Sequence, residues 1–294
     1  MALSDCAGYG TSRVSLPSSS ETGDSRSALT LLGGTDAYVA EATTRDGGRA
    51  VLKLGIPAVE GWGFTNEIRT LRAADGQGYA RLLRHDEPRA AVLLERLGPK
   101  LNSLGLSVED QLRVICTTLR EAWILAPAEV RLPSGAEKAA SLAEFIGLAW
   151  EDTGHPCSKR VIHCALAFAA TRAAAFDPSE AVLAHGDAHS ANTLQDVGEK
   201  GFKFIDPDGL ITERAYDLAI PMREWGAELL VGDALELGRR RCALLSRLTG
   251  VEPGPIWEWG FVERVSTGLL LLQVGHELLG REFLDVAEVW AAPA

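Results

Sequence analysis

One segment of this chain, residues 183–210, holds polar side chains whose types and spacing could support catalysis. Asp187 ends a His-Gly-Asp triplet, Asn192 follows five residues later, and Asp206 ends a mostly apolar stretch. A kinase needs a carboxylate to orient a substrate hydroxyl and an Asn/Asp pair to hold Mg²⁺ on the nucleotide phosphates. The order of carboxylate, amide and carboxylate therefore predicts a phosphoryl-transfer site.

Each motif has a plainer interpretation when it is taken alone. A single His-Gly-Asp triplet is more often a turn than a base. Residues 207–209, Pro-Asp-Gly, also form a good turn sequence, because Pro favours its second position and Gly supplies positive φ. The combination at fixed offsets favours the catalytic interpretation, with Asp206 as the functional carboxylate and Asp208 as a turn residue. His189 is expected to fix the loop backbone rather than to transfer protons.

The same residues carry a resemblance to a known family. His-Gly-Asp-x-His-x-x-Asn followed by Ile-Asp-Pro-x-Gly-Leu resembles the aminoglycoside phosphotransferases. The Pro-x-Gly-Leu ending is most similar to the branch of streptomycin 6-kinases and hydroxyurea phosphotransferases. The resemblance spans roughly residues 28–290, with strong motifs between 183 and 220. It implies a two-lobed, protein-kinase-like fold that moves the γ-phosphate of a nucleotide onto a small-molecule hydroxyl.

The resemblance also implies a role for each matching residue. Asp187 would be the catalytic base, Asn192 and Asp206 would bind Mg²⁺, and Asp217 would brace the catalytic loop. The common family form has Leu, Pro and Gly at three loop positions where this chain has Ala188, Ser190 and Ala191. These replacements spare every implied ligand.

The residues before this segment predict a small antiparallel sheet. Strand patterns cover 28–32, 37–42 and 50–54, and glycine-containing turns separate them. Gly33 and Gly34 in the first turn are candidate nucleotide-binding residues, although the full GxGxxG spacing is missing and any hairpin could use such a pair. Residues 1–27 are rich in Ser, Thr and Gly, and we expect a flexible N-terminal tail there.

Lys53 is the most informative residue of the predicted sheet. It is one of six lysines, against 23 arginines, and it lies within an apolar strand. A buried ammonium needs a partner, and Glu67 on the following helix is the candidate. In a kinase this lysine grips the α- and β-phosphates. An edge-strand lysine pointing into water is the alternative.

The run from Ala90 to Gly98 predicts a strand leading into the hinge between two lobes. By similarity to the family, the Glu95 carbonyl and the Leu97 amide would bind the nucleobase, with Leu94 behind the ring. A core strand that ends in a turn fits the same pattern. ATP is the default nucleotide and GTP remains possible, because backbone groups make these contacts.

Helical periodicity dominates the rest of the chain. The patterns predict an α+β protein-kinase-like fold, with an N-lobe at 28–98 and a mainly helical C-lobe at 99–294 that carries the catalytic loop and the substrate pocket. Helices are predicted at 108–124, 139–149, 160–176, 218–231, 233–248, 256–280 and 282–290.

Composition narrows the class of partner. The net charge of −11 disfavours nucleic acid, whose phosphates need a basic surface. Residues 201–294 hold 15 acidic and 9 basic side chains, which favours capture of cationic ligands. No apolar run approaches the roughly 20 residues of a membrane helix. The five cysteines show no CxxC spacing and no signal segment is apparent, so we expect a cytoplasmic protein. We also expect a monomer or a weak dimer.

Acidic and aromatic residues cluster at three places in the predicted C-lobe. Carboxylates bind ammonium and guanidinium groups, and indole faces attract cations. Glu151, Asp152, Glu224 and Trp225 are the candidate substrate residues from two of these clusters, and Trp257-Glu258-Trp259 forms the third. For each cluster, a core or rim Trp beside solvated acids is the plainer interpretation.

The leading hypothesis is an antibiotic kinase that acts with a Mg²⁺-bound nucleotide on a cationic hydroxyl compound, an aminoglycoside such as streptomycin, and so confers resistance. The same chemistry on another antibiotic or on a metabolic amino alcohol or sugar is the first alternative. A catalytically silent kinase-like binding protein is the second, although both metal ligands and the strand lysine are present.

Overall fold

The computed structural model of this protein describes residues 26–30, 37–55, 63–198 and 201–292. A small antiparallel sheet with one helix precedes a larger, mainly helical part, so the predicted two-lobed kinase-like fold is confirmed. Gly33, Gly34 and the first 25 residues of the predicted tail lie outside the described residues.

The N-lobe is a five-stranded sheet in the order β1-β2-β3-β5-β4. Its strands are β1 Arg26–Thr30, β2 Ala37–Thr43, β3 Arg49–Gly55, β4 Leu82–Asp86 and β5 Ala91–Glu95, and helix α1 spans Gly63–Ala74 between β3 and β4. Lys53 lies in β3, the central strand of the sheet, opposite Val92 of β5. The sequence analysis missed β4 because its residues are largely exposed and carry no alternating apolar pattern.

The C-lobe is a helical bundle with two short strand pairs at its top. The helices are α2 Val108–Ala122, α3 Gly135–Asp152, α4 Lys159–Ala174, α5 Arg214–Arg223, α6 Gly226–Val231, α7 Ala234–Thr249, α8 Pro253–Gln273 and α9 Glu277–Trp290. The strands are β6 Val182–Ala184, β7 Thr193–Gln195, β8 Phe202–Phe204 and β9 Leu210–Thr212; β6 pairs with β9, and β7 with β8. Helices α3, α4, α5 and α9 pack around α8.

Two predicted helices differ from the observed ones: one is split and the other ends early. The helix predicted at 218–231 is split into α5 and α6, because Trp225 adopts a left-handed conformation with φ of 52°. The helix predicted at 256–280 stops at Gln273, and Gly275 follows with φ of 85°. A residue in the left-handed region ends the helical hydrogen-bonding pattern.

The two strand pairs position the loops that the sequence singled out. Buried β6 leads into the loop that contains Asp187, and this loop ends at β7. The connection from β8 to β9 contains Asp206, which has a left-handed φ of 58°. Both loops therefore start from buried strands at the face of the C-lobe that meets the N-lobe. Within the described ranges, no helix is long and apolar enough to cross a bilayer.

Candidate active site

Lys53 joins the two lobes across the cleft. Its Nζ lies 2.7 Å from Oε2 of Glu67 on α1 and 3.0 Å from Oδ1 of Asp206 in the C-lobe. Burial alone would lower the pKa of Lys53, but the charges of Glu67 and Asp206 outweigh it and raise the pKa. The predicted ion pair with Glu67 is therefore present, and the lysine carries a fixed positive charge beside Asp206.

The hinge residues lie where β5 leaves the N-lobe. Leu94 is buried in the main core, and Leu97 is buried in a smaller cluster with Ala80 and Leu194. Oε1 of Glu95 accepts hydrogen bonds from the Arg81 amide at 2.8 Å and from Lys203 Nζ at 2.7 Å. Among the residues that the structure describes, none accepts a hydrogen bond from the Leu97 amide, so this amide can donate to a ligand.

Asn192 and Asp206 are neighbours in the folded chain. The amide of Ile205 donates to the Asn192 carbonyl at 2.9 Å, which sets Asn192 beside the residue before Asp206. Nδ2 of Asn192 donates to the Asp187 carbonyl at 3.2 Å, which leaves its Oδ1 as the side-chain atom that could bind a metal ion. The Asp206 side chain is 43% exposed. Two such oxygens suit Mg²⁺, which binds through one or two protein ligands together with substrate phosphates.

Asp217 at the first turn of α5 braces the catalytic loop. Its carboxylate is fully buried and accepts hydrogen bonds from the backbone amides of His185 at 3.1 Å and Gly186 at 2.8 Å, and from Trp123 Nε1 at 2.9 Å. His185 fixes the loop further, because its Nε2 donates to the Ile205 carbonyl at 2.9 Å. These contacts hold the loop in one conformation.

We expect the replacement Asp217→Asn to lower the free energy of unfolding by about 1.5–3 kcal/mol, the typical worth of a hydrogen bond to a charged group. The amide has one acceptor oxygen for three donors, so at least one buried N–H loses its partner. Urea denaturation measures the change. The exposed Asp177→Asn is the control, and equal stability of the two variants would contradict the bracing role.

Asp187 is held by two side chains that the sequence analysis did not assign to it. Oδ1 accepts from Arg223 Nη2 at 2.5 Å, and Oδ2 accepts from His189 Nε2 at 3.2 Å. Burial alone would raise the pKa of Asp187, but the His189 hydrogen bond and the Arg223 charge outweigh it and hold the pKa below its ordinary range. The carboxylate is therefore ionised and fixed in orientation.

His189 performs two tasks in this loop. Its Nδ1 accepts from the Ala191 amide at 3.1 Å, which is the backbone-fixing role that the sequence predicted. Because Nδ1 accepts, the ring proton lies on Nε2, and this nitrogen faces Asp187. Asp208, predicted to be a turn residue, is exposed and makes no hydrogen bond or ion pair with the described residues.

Arg223 is the functional residue that sequence reasoning missed. It ends α5, and its Nη1 donates to Oε2 of Glu263 on α8 at 2.8 Å while Nη2 binds Asp187. Burial alone would lower the pKa of Arg223, but Glu263 and Asp187 raise it, so the guanidinium stays charged. No local motif marks this arginine, because Asp187 and Glu263 are 36 and 40 residues away in the chain.

The predicted substrate residues separate into two groups. Glu224 and Trp225 directly follow Arg223 and are partly exposed beside the catalytic loop. Glu151 and Asp152 lie at the exposed C-terminal end of α3, where Glu151 pairs with His155 at 2.9 Å. The other end of this 18-residue helix adjoins β9, so roughly 26 Å of helix separates the two acids from the C-lobe strands near the cleft. The fold does not bring them to Asp187.

The third acidic and aromatic cluster also lies away from the catalytic loop. Trp259 is fully buried and donates to Glu213, while Glu258 forms an ion contact of 2.6 Å with Arg172 of α4. These side chains join α8 to α4 and to the start of α5. They are structural contacts of the bundle.

The side chains at the cleft are of the types that phosphoryl transfer requires. A fixed ammonium group, two side-chain oxygens that could bind a metal ion and an ionised carboxylate lie at one cleft between the lobes. Such transfer depends mainly on positioning the reactants and stabilising charge on the phosphoryl oxygens. Lys53 and Asp187 are each held by ion pairs, and the Asn192 side chain is held by a hydrogen bond.

Comparison with known proteins agrees with this fold. A family model described as aminoglycoside/hydroxyurea antibiotic resistance kinase matches residues 26–275. A streptomycin 6-kinase of Streptomyces griseus is 28% identical over 262 residues, which cover 88% of this chain and 83% of that protein. A hydroxyurea phosphotransferase of Kitasatospora aureofaciens is 32% identical over 263 residues, covering 87% and 72%.

Solved structures resemble the fold at lower identity. An aminoglycoside phosphotransferase in complex with AMP-PNP and hygromycin B has a TM-score of 0.62 at 16% identity, covering 92% of this chain and 95% of that one. A choline kinase from Streptococcus pneumoniae also has a TM-score of 0.62, at 15% identity, with 90% and 94% covered. The family match spans most of the chain, and the chain therefore belongs to the aminoglycoside/hydroxyurea antibiotic resistance kinase family.

Proposed function

We propose that this protein transfers the γ-phosphoryl group of a Mg²⁺-bound nucleotide, ATP by default, to a hydroxyl of a cationic small molecule, an aminoglycoside such as streptomycin. Residues 28–98 would bind the nucleotide, and residues 99–294 would carry the catalytic loop and the acceptor pocket. The observation that carries the proposal is the contact of Lys53 with both Glu67 and Asp206 across the cleft that also holds Asp187.

The proposed roles follow from these contacts. Lys53 steadies the nucleotide phosphates, while Asn192 and Asp206 would hold Mg²⁺, which neutralises charge on the phosphates when bound. Asp187 accepts a hydrogen bond from the acceptor hydroxyl and takes its proton as the new P–O bond forms. The lowered pKa of Asp187 suits a loose transition state, in which the hydroxyl needs orientation more than early deprotonation.

A cationic acceptor is supported by the residues beside the catalytic loop. Glu224 offers a partly exposed carboxylate next to Arg223, and Trp225 offers a partly exposed indole whose ring also has the Arg241 guanidinium 5.5 Å from its centroid. Carboxylates and indole faces are the groups that bind ammonium and guanidinium ions. A relative named hydroxyurea phosphotransferase makes a neutral acceptor the second candidate.

The test is mass spectrometry for an added phosphoryl group after incubation with ATP or GTP, Mg²⁺ and single acceptors. Streptomycin, other aminoglycosides, hydroxyurea and amino alcohols form the panel. We expect transfer to an aminoglycoside. Transfer to hydroxyurea or an amino alcohol alone would reject the cationic antibiotic as substrate, and no transfer to any member would reject the kinase proposal for this set of acceptors.

We expect the replacement Glu224→Gln to raise KM for a cationic acceptor roughly 10- to 100-fold, because it removes one charge-assisted contact of about 1.5–3 kcal/mol. KM for the nucleotide should not change. Steady-state kinetics measures both constants. Glu151→Gln, at the distant end of α3, is the matched control and should behave as the wild type. An equal rise of KM in both variants would contradict the assignment.

A further inference from the structure

Helix α8 buries a carboxylate, Glu263, against α5. The side chain is 5% exposed, and both of its oxygens have a protein partner. Oε1 accepts from the Tyr216 hydroxyl at 2.5 Å, and Oε2 accepts from Arg223 Nη1 at 2.8 Å. A carboxylate held in this way has one orientation, and because it is buried, water molecules cannot readily replace its two partners.

The contact with Arg223 extends to the catalytic loop. Arg223 uses Nη1 for Glu263 and Nη2 for Oδ1 of Asp187, at 2.5 Å. A guanidinium group is planar and rigid, so holding one Nη restricts where the other can lie. Glu263 thereby determines where Arg223 meets the Asp187 carboxylate. Arg223 is therefore paired with two carboxylates, those of Glu263 and Asp187.

The backbone around Arg223 is held separately from its side chain. Arg264, the neighbour of Glu263 on α8, donates through Nη2 to the Met222 carbonyl at 2.8 Å. Arg241 on α7 donates through Nη1 to the Glu224 carbonyl at 2.6 Å. The carbonyls on both sides of Arg223 are therefore anchored by buried arginines. A change at Glu263 accordingly tests the placement of the side chain while these two anchors remain.

We propose that Glu263 is a positioning residue for phosphoryl transfer, which acts through Arg223 to keep Asp187 in the orientation that the acceptor hydroxyl requires. The inference rests on the proposed function. Without Glu263, the guanidinium is free to turn and to bind both oxygens of Asp187. The acceptor hydroxyl would then compete with Arg223 for the carboxylate.

The first test compares Glu263→Gln and Glu263→Asp with the wild type. We expect kcat to fall roughly 10- to 100-fold in both, because a displacement of about 1 Å at a reacting group can cost up to about 10² in rate. KM for the nucleotide should stay within about twofold of the wild-type value, since Glu263 is not in contact with Lys53 or the hinge. An active wild type together with unchanged kcat in Glu263→Gln would overturn this inference and leave the proposed function standing.

A matched control separates positioning from general loosening of α8. Glu258, five residues earlier on the same helix, makes an ion contact of 2.6 Å with Arg172, away from the catalytic loop. Glu258→Gln should lower Tm and leave kcat unchanged. Equal losses of kcat in Glu258→Gln and Glu263→Gln would show a packing effect and overturn the inference.

The double variant Arg223→Met/Glu263→Gln completes the test. It removes both members of the Arg223–Glu263 ion pair, so neither of these two charges is left buried without the other. Arg223→Met removes the side chain through which Glu263 is proposed to act, so adding Glu263→Gln to it should lower kcat no further. A further loss in the double variant would overturn the proposal, because Glu263 would then act by another route. A wild-type protein without any phosphoryl transfer would reject the proposed function, and this inference with it.

Discussion

Asp187→Ala should lower kcat at least ~10²–10³-fold, the usual contribution of a positioned base. The carboxylate is fixed by Arg223 at Oδ1 and by His189 at Oδ2, and an alanine at this position can make neither contact. Asp187→Asn keeps the shape of the side chain and removes the charge. We expect a loss of the same order in this variant, because an amide cannot take the hydroxyl proton.

Nucleotide binding distinguishes this loss from unfolding. Lys53, Glu67 and the hinge are separate from Asp187, so calorimetry should give a wild-type Kd for the Mg²⁺-bound nucleotide in both Asp187 variants. The exposed Asp177→Asn serves as a control for the loss of one carboxylate. Near-normal turnover in Asp187→Ala would reject the assignment of the base.

Asp206→Asn should have the second large effect. A bound metal supplies several kcal/mol of transition-state stabilisation, and about 1.4 kcal/mol corresponds to a factor of ten in rate. We therefore expect kcat to fall by roughly 10³ and the Mg²⁺ concentration for half-maximal activity to rise. The free energy of unfolding should fall only modestly, because the side chain is 43% exposed and Lys53 keeps Glu67 as its partner.

The comparison variant for Asp206 is Asp208→Asn. Asp208 lies in the same turn but makes no ion pair with Lys53, whereas Asp206 Oδ1 lies 3.0 Å from the lysine Nζ. Titration of Mg²⁺ at fixed nucleotide measures both variants. We expect Asp208→Asn to keep the Mg²⁺ dependence of the wild type. The reverse result, with dependence lost in Asp208→Asn alone, would move the metal to Asp208.

Local patterns were sufficient to predict most of the elements and to nominate a first set of site residues. Apolar periodicity located the main helices and most N-lobe strands, and the fixed offsets among Asp187, Asn192 and Asp206 marked the catalytic loops. Lys53 stood out because an ammonium group within an apolar strand requires a partner, and Glu67 is 14 residues away on the next helix. Such signals are readable because each lies within a short stretch of chain.

Helix ends were harder to predict from the sequence. The break at Trp225 depends on a left-handed backbone conformation that periodicity does not register, yet it separates α5 from α6 and leaves Glu224 and Trp225 beside the catalytic loop. From the sequence alone, Glu151, Asp152 and Glu224 were equally good candidates for contacting the substrate. Their position at the far end of α3 is a consequence of how that helix packs.

By itself, the sequence determined the class of chemistry, through the order of its carboxylate, amide and lysine groups. Tertiary structure decided which side chains control the base: Arg223 reaches Asp187 across 36 residues, and Tyr216 reaches Glu263 across 47. The reason is physical, because a contact between distant residues depends on the packing of α5 against α8 and leaves no periodic trace along the chain. Short-range spacing therefore predicted the candidate ligands, and long-range packing revealed which side chains contact the predicted base.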